Sequence, residues 1–267
     1  MYPVLFDIGP FVLRTYGVFL VAGFAAGIWL SARRAGSRGL DPATVYNVSI
    51  VILVAALIGS RLYYVLFHLD EFGGGAWWRA FVPLQPDGKI GLLGMSMFGG
   101  VLLSTAAALF YLRVRREPML RFADVLAPGV MLGLGIARLG CHFNGCCFGI
   151  PTDGPFGVVF PHGCQAGFTF PGEHLIASQL ISSAMGFAVF GLLLVAERRF
   201  RFRGSTFLLM LVLYGVGRFL VDFTRYYESE TLVSIGGGTI AFNQLLVLAT
   251  AVVAFAFWLV LWRRLSA

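Results

Sequence analysis

Three arginines lie where an apolar sequence should carry none. Arg61, Arg138 and Arg218 fall within or at the ends of long apolar runs, and Asp124 and Asp222 lie inside two of them. A charge at membrane depth costs from a few kcal/mol upward, so it faces a partner or a polar cavity and marks a functional site. Structural pairing or snorkelling to an interface is the competing reading, strongest for Arg61, two turns from a helix end. In YGVGRFLVDFTR, Tyr214, Arg218, Asp222 and Arg225 recur at intervals of four, four and three and share one helix face. Pairing Arg218 with Asp222 lowers the cost of burial and leaves guanidinium donors free. Arginines aimed into one cavity beside a single acid favour an anion, and the guanidinium fork matches phosphate oxygens.

A second concentration of chemistry is GIARLGCHFNGCCFG, residues 135–149, which adds His142, Asn144, Cys141, Cys146 and Cys147 to Arg138. With Cys164 there are four cysteines. One disulfide joining Cys164 to Cys146 or Cys147, four buried thiols, and a thiol-redox or metal site are the three readings. The spacing C-x4-C-C is not a recognised zinc or iron–sulfur pattern, so neither a metal nor another cofactor is expected.

The elements that position these groups are transmembrane. Of 267 residues 58% are hydrophobic and only 12% charged, about half the charged share of a soluble domain. The chain therefore reads as an all-α integral membrane protein. Apolar runs suited to helical spans fall at about 14–32, 45–67, 90–112, 120–140, 175–196, 205–223 and 239–262. Leaving aside the three embedded arginines, thirteen basic residues lie in segments 33–44, 113–121 and 198–203 and at the C-terminal end. Only Arg14, Arg79, Lys89 and Arg225 lie on the other side. The positive-inside rule then puts the N-terminus outside and the C-terminus in the cytoplasm, the parity seven helices require. The net charge of +7 is accounted for by topology, and no nucleic-acid partner is expected.

The start, MYPVLFDIGPF, has no basic residue before its apolar run and carries Asp7, so the first helix is expected to be retained. A single polytopic domain over 1–267 is expected, with two outer insertions. One is a surface arm at 69–89 with Trp77 and Trp78; the other is a small extracytoplasmic cap at 141–173, rich in proline and free of lysine and arginine. At membrane depth the most available anion is a phospholipid headgroup. Gly99 and Gly100 in SMFGG, and Gly133, Gly135 and Gly140 in GLGIARLG, permit close backbone approach, either to a ligand or between helices.

The run ARLGCHFNGCCFGIPTDGPFGVVFP resembles the signature of bacterial prolipoprotein diacylglyceryl transferases through Arg138, Gly140, Asn144, Gly145 and Gly149, then Pro151, Thr152, Pro155, Gly157, Val158, Phe160 and Pro161. Further blocks follow in the family's order: LRTYGVFLVAGF with Tyr16, GSRLYYVLFH with Arg61, GMSMFGG, SQL at 178–180 and YGVGRFLVDFTR. The resemblance implies transfer of diacylglyceryl from phosphatidylglycerol to the lipobox cysteine of a preprolipoprotein signal peptide in the bacterial inner membrane, with glycerol phosphate released. A monomer among membrane lipids is expected. It further implies Arg138 and Arg218 as the catalytic cations, with Tyr16, Arg61, Gly99, Gly100, Asn144, Gly149, Tyr214, Asp222 and Arg225 around the phosphatidylglycerol headgroup.

The departures are chemical. The family's histidine before Gly-Gly is Phe98, its signature asparagine is Cys141, its acidic residue there is Cys146, and the acid after Ser-Gln-Leu is Ser182. Phenylalanine accepts no proton. Either the arginine pair carries the rate, with His142 as a candidate for thiol activation, or the chain is a paralogue. Such a paralogue would bind anionic phospholipid or do thiol chemistry on another substrate. A transporter for an amphipathic anion is the third reading, and the sequence lacks the paired symmetry it would show.

Overall fold

All seven apolar runs form helices in the computed structural model, which describes residues 3–8, 11–72, 94–155, 157–200, 202–227, 232–235 and 238–266. The helices are α1 (Thr15–Ser37), α2 (Pro42–Phe67), α3 (Met97–Val114), α4 (Met119–Asn144), the short α5 (Gln165–Thr169), α6 (Ser178–Arg199), α7 (Ser205–Asp222) and α8 (Phe242–Ser266). The seven long ones are each long and apolar enough to cross a membrane, and the chain is a multi-pass membrane protein. Val21, Leu102, Phe110 and Val195 are 69–71% exposed along them, as side chains facing hydrocarbon must be. Six short strands, β1 (Val4–Ile8), β2 (Phe11–Arg14), β3 (Gly157–Val159), β4 (His174–Ile176), β5 (Leu232–Ile235) and β6 (Gly238–Ala241), pair in sequence as three two-stranded sheets. Of the expected surface arm only a 3-10 turn, Leu69–Phe72, belongs to the described residues; Trp77, Trp78, Arg79 and Lys89 lie outside them.

The chain divides into two compact units. The larger comprises most of α1, α4 after its first turn, and everything C-terminal to it. Its axis is a glycine seam between α1 and α4. A Cβ on Gly23 would sit 2.6 Å from the Gly133 carbonyl oxygen, and one on Gly27 2.7 Å from that of Gly129. Glycines four apart on both helices thus let the backbones touch, a small-residue packing suited to lipid, where no hydrophobic force draws helices together. Ala127, Met131, Val189, Leu193 and Met210 form the core between α4, α6 and α7.

Asp124, an apparent stray charge, is structural. Its carboxylate accepts from the backbone N–H of Gly204 at 2.7 Å and of Phe207 at 2.9 Å. It thereby satisfies orphan donors at the start of α7, where an anion also meets the positive end of the helix dipole.

The residues after α4 form a small module. β3 and β4 pair antiparallel with Val158 opposite Leu175, over a core of Phe148, Phe160, Cys164, Ala166 and Leu175. Strand β6 takes up the first residues of the last apolar run, expected to be helical from residue 239, and pairs with β5. Helix α8 starts at Phe242, after the Gln244 side chain accepts from the Ala241 N–H at 2.9 Å.

The smaller unit holds α2 and α3. Asp41 caps α2 by accepting from the N–H groups of Ala43 and Thr44 at 3.0 and 3.2 Å. Where α2 and α3 cross, Gly59 and Gly99 are in backbone contact and Gly100 lies against Ser60.

Candidate active site

Helix α4 runs to Asn144, four residues past its expected end, so Arg138, Cys141 and His142 share its last two turns. The chain then reverses through two left-handed residues, Gly145 at φ +67° and Cys147 at φ +57°. Only glycine enters that region without a steric penalty, so Cys147 is strained and its surroundings must hold it there. They do so from three sides. Gly149 N–H donates to the Ile176 carbonyl at 2.9 Å, Ile150 N–H to that of Thr224 at 3.1 Å, and Tyr226 N–H to that of Phe148 at 3.2 Å. Gln179, fully buried at the start of α6, donates from Nε2 to the Cys146 carbonyl at 2.8 Å. Ser178 reaches across to the Thr224 carbonyl at 2.9 Å. Gly149 sits where these strands meet, and a Cβ on it would lie 2.5 Å from oxygens of Ile176, Ser178 and Thr224; its role is to admit this packing.

From the other wall comes the end of α7. Arg218 Nη2 lies 2.9 Å from Asp222 Oδ1, and Arg225 Nη1 3.7 Å from the same oxygen. Tyr227, absent from the sequence reading, completes the clamp. Its hydroxyl donates to Asp222 Oδ1 at 2.7 Å and accepts from Arg218 Nη2 at 3.3 Å and Arg225 Nη1 at 3.2 Å. The Arg225 guanidinium also stands 5.1 Å from the centre of the Tyr227 ring. Burial pushes the Tyr227 hydroxyl up to about 12, against the pull of Arg225, so it stays a donor at neutral pH. The signal available in the sequence was an aromatic two residues after the last arginine of the motif.

Arg138 faces this clamp. It hydrogen-bonds the Cys147 side chain and has Cys141 and Tyr214 as electrostatic neighbours, and its charge is felt at Arg218. Tyr16 adjoins Arg138 and the same cysteines. The reason is again a glycine, since a Cβ on Gly140 would lie 2.6 Å from the Phe19 Cβ and 3.4 Å from the Tyr16 Cα. Residues from α1, α4 and α7 therefore meet at one place. Three arginines face one carboxylate, a formal excess of +2 with the thiols protonated. Among the described residues the buried atoms Arg218 Nη1, Arg225 Nε, Asp222 Oδ2 and Asn144 Oδ1 have no hydrogen-bond partner. The two donors, Arg218 Nη1 and Arg225 Nε, each cost about 1–3 kcal/mol when unsatisfied, which an oxygen-rich anion offsets. The two acceptors, Asp222 Oδ2 and Asn144 Oδ1, call instead for a donor such as a hydroxyl.

His142 packs edge-on against Phe143 and Phe160, and its Nδ1 is buried without a partner among the described residues. Arg61, in the smaller unit, donates to the Gly94 carbonyl at 3.2 Å, and Gly99 and Gly100 are occupied by the α2–α3 crossing. All four cysteines are free. The disulfide from Cys164 to Cys146 or Cys147 does not form, because the Cys164 thiol is turned into the module core and donates to the Pro161 carbonyl at 3.1 Å. Cys141, Cys146 and Cys147 instead gather with their sulfurs within 4.8 Å of one another. Hydrogen bonds with the Cys141 and Cys146 thiols, then the Arg225 and Arg138 charges, pull Cys147 below the usual thiol range. Its two thiol neighbours and burial push Cys146 up.

Residues 3–262 match the family model described as prolipoprotein diacylglyceryl transferase. The phosphatidylglycerol–prolipoprotein diacylglyceryl transferase of Symbiobacterium thermophilum is 36% identical over 229 residues, covering 85% of this chain and 82% of that protein. The proteins of the same name from Geobacter sulfurreducens and Corynebacterium efficiens are 32% and 30% identical, covering 91% and 92% of this chain and 89% and 78% of their own lengths. With a match of that extent running through the arginine-bearing helices and the loop between them, the chain belongs to the prolipoprotein diacylglyceryl transferase family.

Proposed function

We propose that this protein transfers a diacylglyceryl group from phosphatidylglycerol to the lipobox cysteine thiol of a preprolipoprotein, releasing glycerol phosphate. The observation that carries the proposal is the convergence of Arg138, Arg218 and Arg225 with one carboxylate between them. A phosphodiester bears one negative charge, and the departing phosphate monoester approaches two as the carbon–oxygen bond breaks. A fixed excess of positive charge stabilises the leaving group more than the bound lipid, because the charge on the phosphate grows as the bond breaks, the condition for accelerating the step. In this reading Arg138 and Arg218 hold the phosphate oxygens. The Asp222–Tyr227 pair fixes the direction of Arg218, Tyr214 and Tyr16 line the approach, and Asn144 hydrogen-bonds the glycerol headgroup. Arg225 lies at the mouth.

The positive-inside count supports an orientation with the N-terminus outside the bacterial cytoplasmic membrane, so that the site opens to the face where preprolipoprotein signal peptides emerge. The test is transfer of label from phosphatidylglycerol to a lipobox peptide by the purified protein in proteoliposomes. Arg138→Gln and Arg218→Gln are each expected to lower the rate by about 10²–10³, the loss typical of removing one transition-state donor. A wild-type rate no higher than that of the double variant would refute the proposal.

A further inference from the structure

Three thiols unused by this chemistry stand beside the arginines. The sulfurs of Cys141, Cys146 and Cys147 lie within 4.8 Å of one another, and among the described residues no His, Asp or Glu joins them. The grouping is held in place by the surrounding structure. Cys147 lies in the left-handed region, φ +57°, and the turn it makes brings its sulfur and that of Cys146 together. The Gln179 amide pins the Cys146 carbonyl, and Cys141, 6% exposed, is delivered from the last turn of α4.

Resting on the transfer reading above, we propose that Cys141, Cys146 and Cys147 bind a zinc ion whose fourth tetrahedral position receives the thiol of the acceptor cysteine. Three protein ligands with one open position is the arrangement of catalytic rather than structural zinc. Zinc–sulfur bonds of about 2.3 Å in a tetrahedron space the sulfurs about 3.8 Å apart, so the trio has to contract by no more than about 1 Å. Three thiolates and one divalent zinc sum to −1, and the adjoining Arg138 and Arg225 guanidiniums offset that charge. Sulfurs gathered this closely suit one shared ion better than an iron–sulfur cluster, whose thiolates are spread over several irons. A monovalent soft ion held by all three sulfurs would leave no open position.

The site supplies what Phe98 cannot. A coordinated thiol is deprotonated outright, so the acceptor loses its proton to water on binding and no histidine base is needed. Its sulfur then attacks the glyceryl carbon. The carbon–oxygen bond to phosphate breaks, and the electron pair leaves on the phosphate oxygen towards Arg138 and Arg218. No oxidation state changes, and the three cysteines are not consumed.

The test uses the full-length protein, stripped with a chelator and reloaded with zinc or cobalt(II). One metal per chain is expected, with thiolate-to-cobalt charge-transfer bands and the visible bands of a tetrahedral site. A lipobox peptide should shift those bands, and its Cys→Ser version should not. At pH 7 only about 3% of a free cysteine thiol is ionised, so the stripped protein should transfer about thirtyfold more slowly than the zinc form, with the gap closing above pH 9. The triple variant C141S/C146S/C147S should lose the cobalt bands, whereas C164S should keep them.

Full transfer by the stripped protein at pH 7, cobalt bands indifferent to the peptide, or a disulfide within the trio of the isolated protein would overturn the inference, the first leaving the transfer reading intact. Peptide-sensitive bands without diacylglyceryl transfer by any form would uphold the metal site and remove the transfer reading.

Discussion

Tyr227→Phe removes a single oxygen from the clamp and leaves its apolar packing in place. The lost hydroxyl donates to Asp222 at 2.7 Å and accepts from Arg218 and Arg225 at 3.3 and 3.2 Å. The first is a short bond to a charged group, worth about 1.5–3 kcal/mol, while the two longer ones are worth about 0.5–1 kcal/mol each. Asp222 retains the 2.9 Å contact with Arg218, so the buried pair survives and the fold should hold. Arg225 keeps an aromatic face to stack on. What is lost is the constraint that aims Arg218 and Arg225 together. If about 1.5–3 kcal/mol of orienting energy disappears at the transition state, kcat/KM falls by roughly 10–150-fold, at a tenfold change per 1.4 kcal/mol. Because the effect is on direction rather than on lipid capture, it should appear mainly in kcat. The assay is transfer to a lipobox peptide in proteoliposomes, with thermal unfolding in the same detergent as a control. A change of less than threefold, or a rise in KM at constant kcat, would refute the view that Tyr227 positions the arginines.

Three further outcomes follow from the same geometry. Gly23→Leu places a side chain against the Gly133 carbonyl, where even a Cβ would sit at 2.6 Å. It should destabilise the protein by about 1–3 kcal/mol or more and lower its unfolding temperature, whereas the same change at Gly17, which has open space around it, should not. Asp124→Ala strips two N–H groups of α7 of their acceptor and should cost about 1–3 kcal/mol in thermal or denaturant unfolding, with Asp124→Asn intermediate. The pH dependence has a definite sign. Tyr227 titrates near 12 when folded and about 10 when unfolded, so the unfolded chain loses that proton first. Its contribution is complete below pH 10 and fades between about pH 10 and 12. Melting curves across that window should decline less steeply for Tyr227→Phe than for the wild type.

Much of this organisation is legible along the chain, because bilayer thickness and hydropathy leave little choice of span. All seven expected helices appear, with ends displaced by a few residues. The displacements carry information. Helix α4 runs past residue 140 to Asn144 because Arg138 and Cys141, which look like terminators of an apolar run, face a polar interior instead of lipid. Asp124 shows the opposite error: a charge read as a site is a cap for a helix eighty residues later, a partnership that no local window contains. Arg138, Arg218 and Asp222 were recognisable because an ionised group in an apolar run is conspicuous. Tyr227 was not, because an aromatic beside a membrane interface is ordinary.

The cysteines expose the limit of spacing rules most clearly. C-x4-C-C matches no familiar metal pattern, since such patterns record only the spacing of ligands along the chain. Here the sulfurs converge through two successive reversals, at Gly145 and at the strained Cys147, held by Gln179 from another helix. Strain of about 1–3 kcal/mol at a non-glycine residue persists only where the surroundings over-determine it. Of the residues that do so here, Gln179 and Ser178 open α6, while Thr224 and Tyr226 follow directly on α7, the helix that carries Arg218. The turn that gathers the thiols and the wall that holds Arg218 are therefore one structure, and a substitution such as Gln179→Leu should disturb both, scattering the thiols and slowing transfer together.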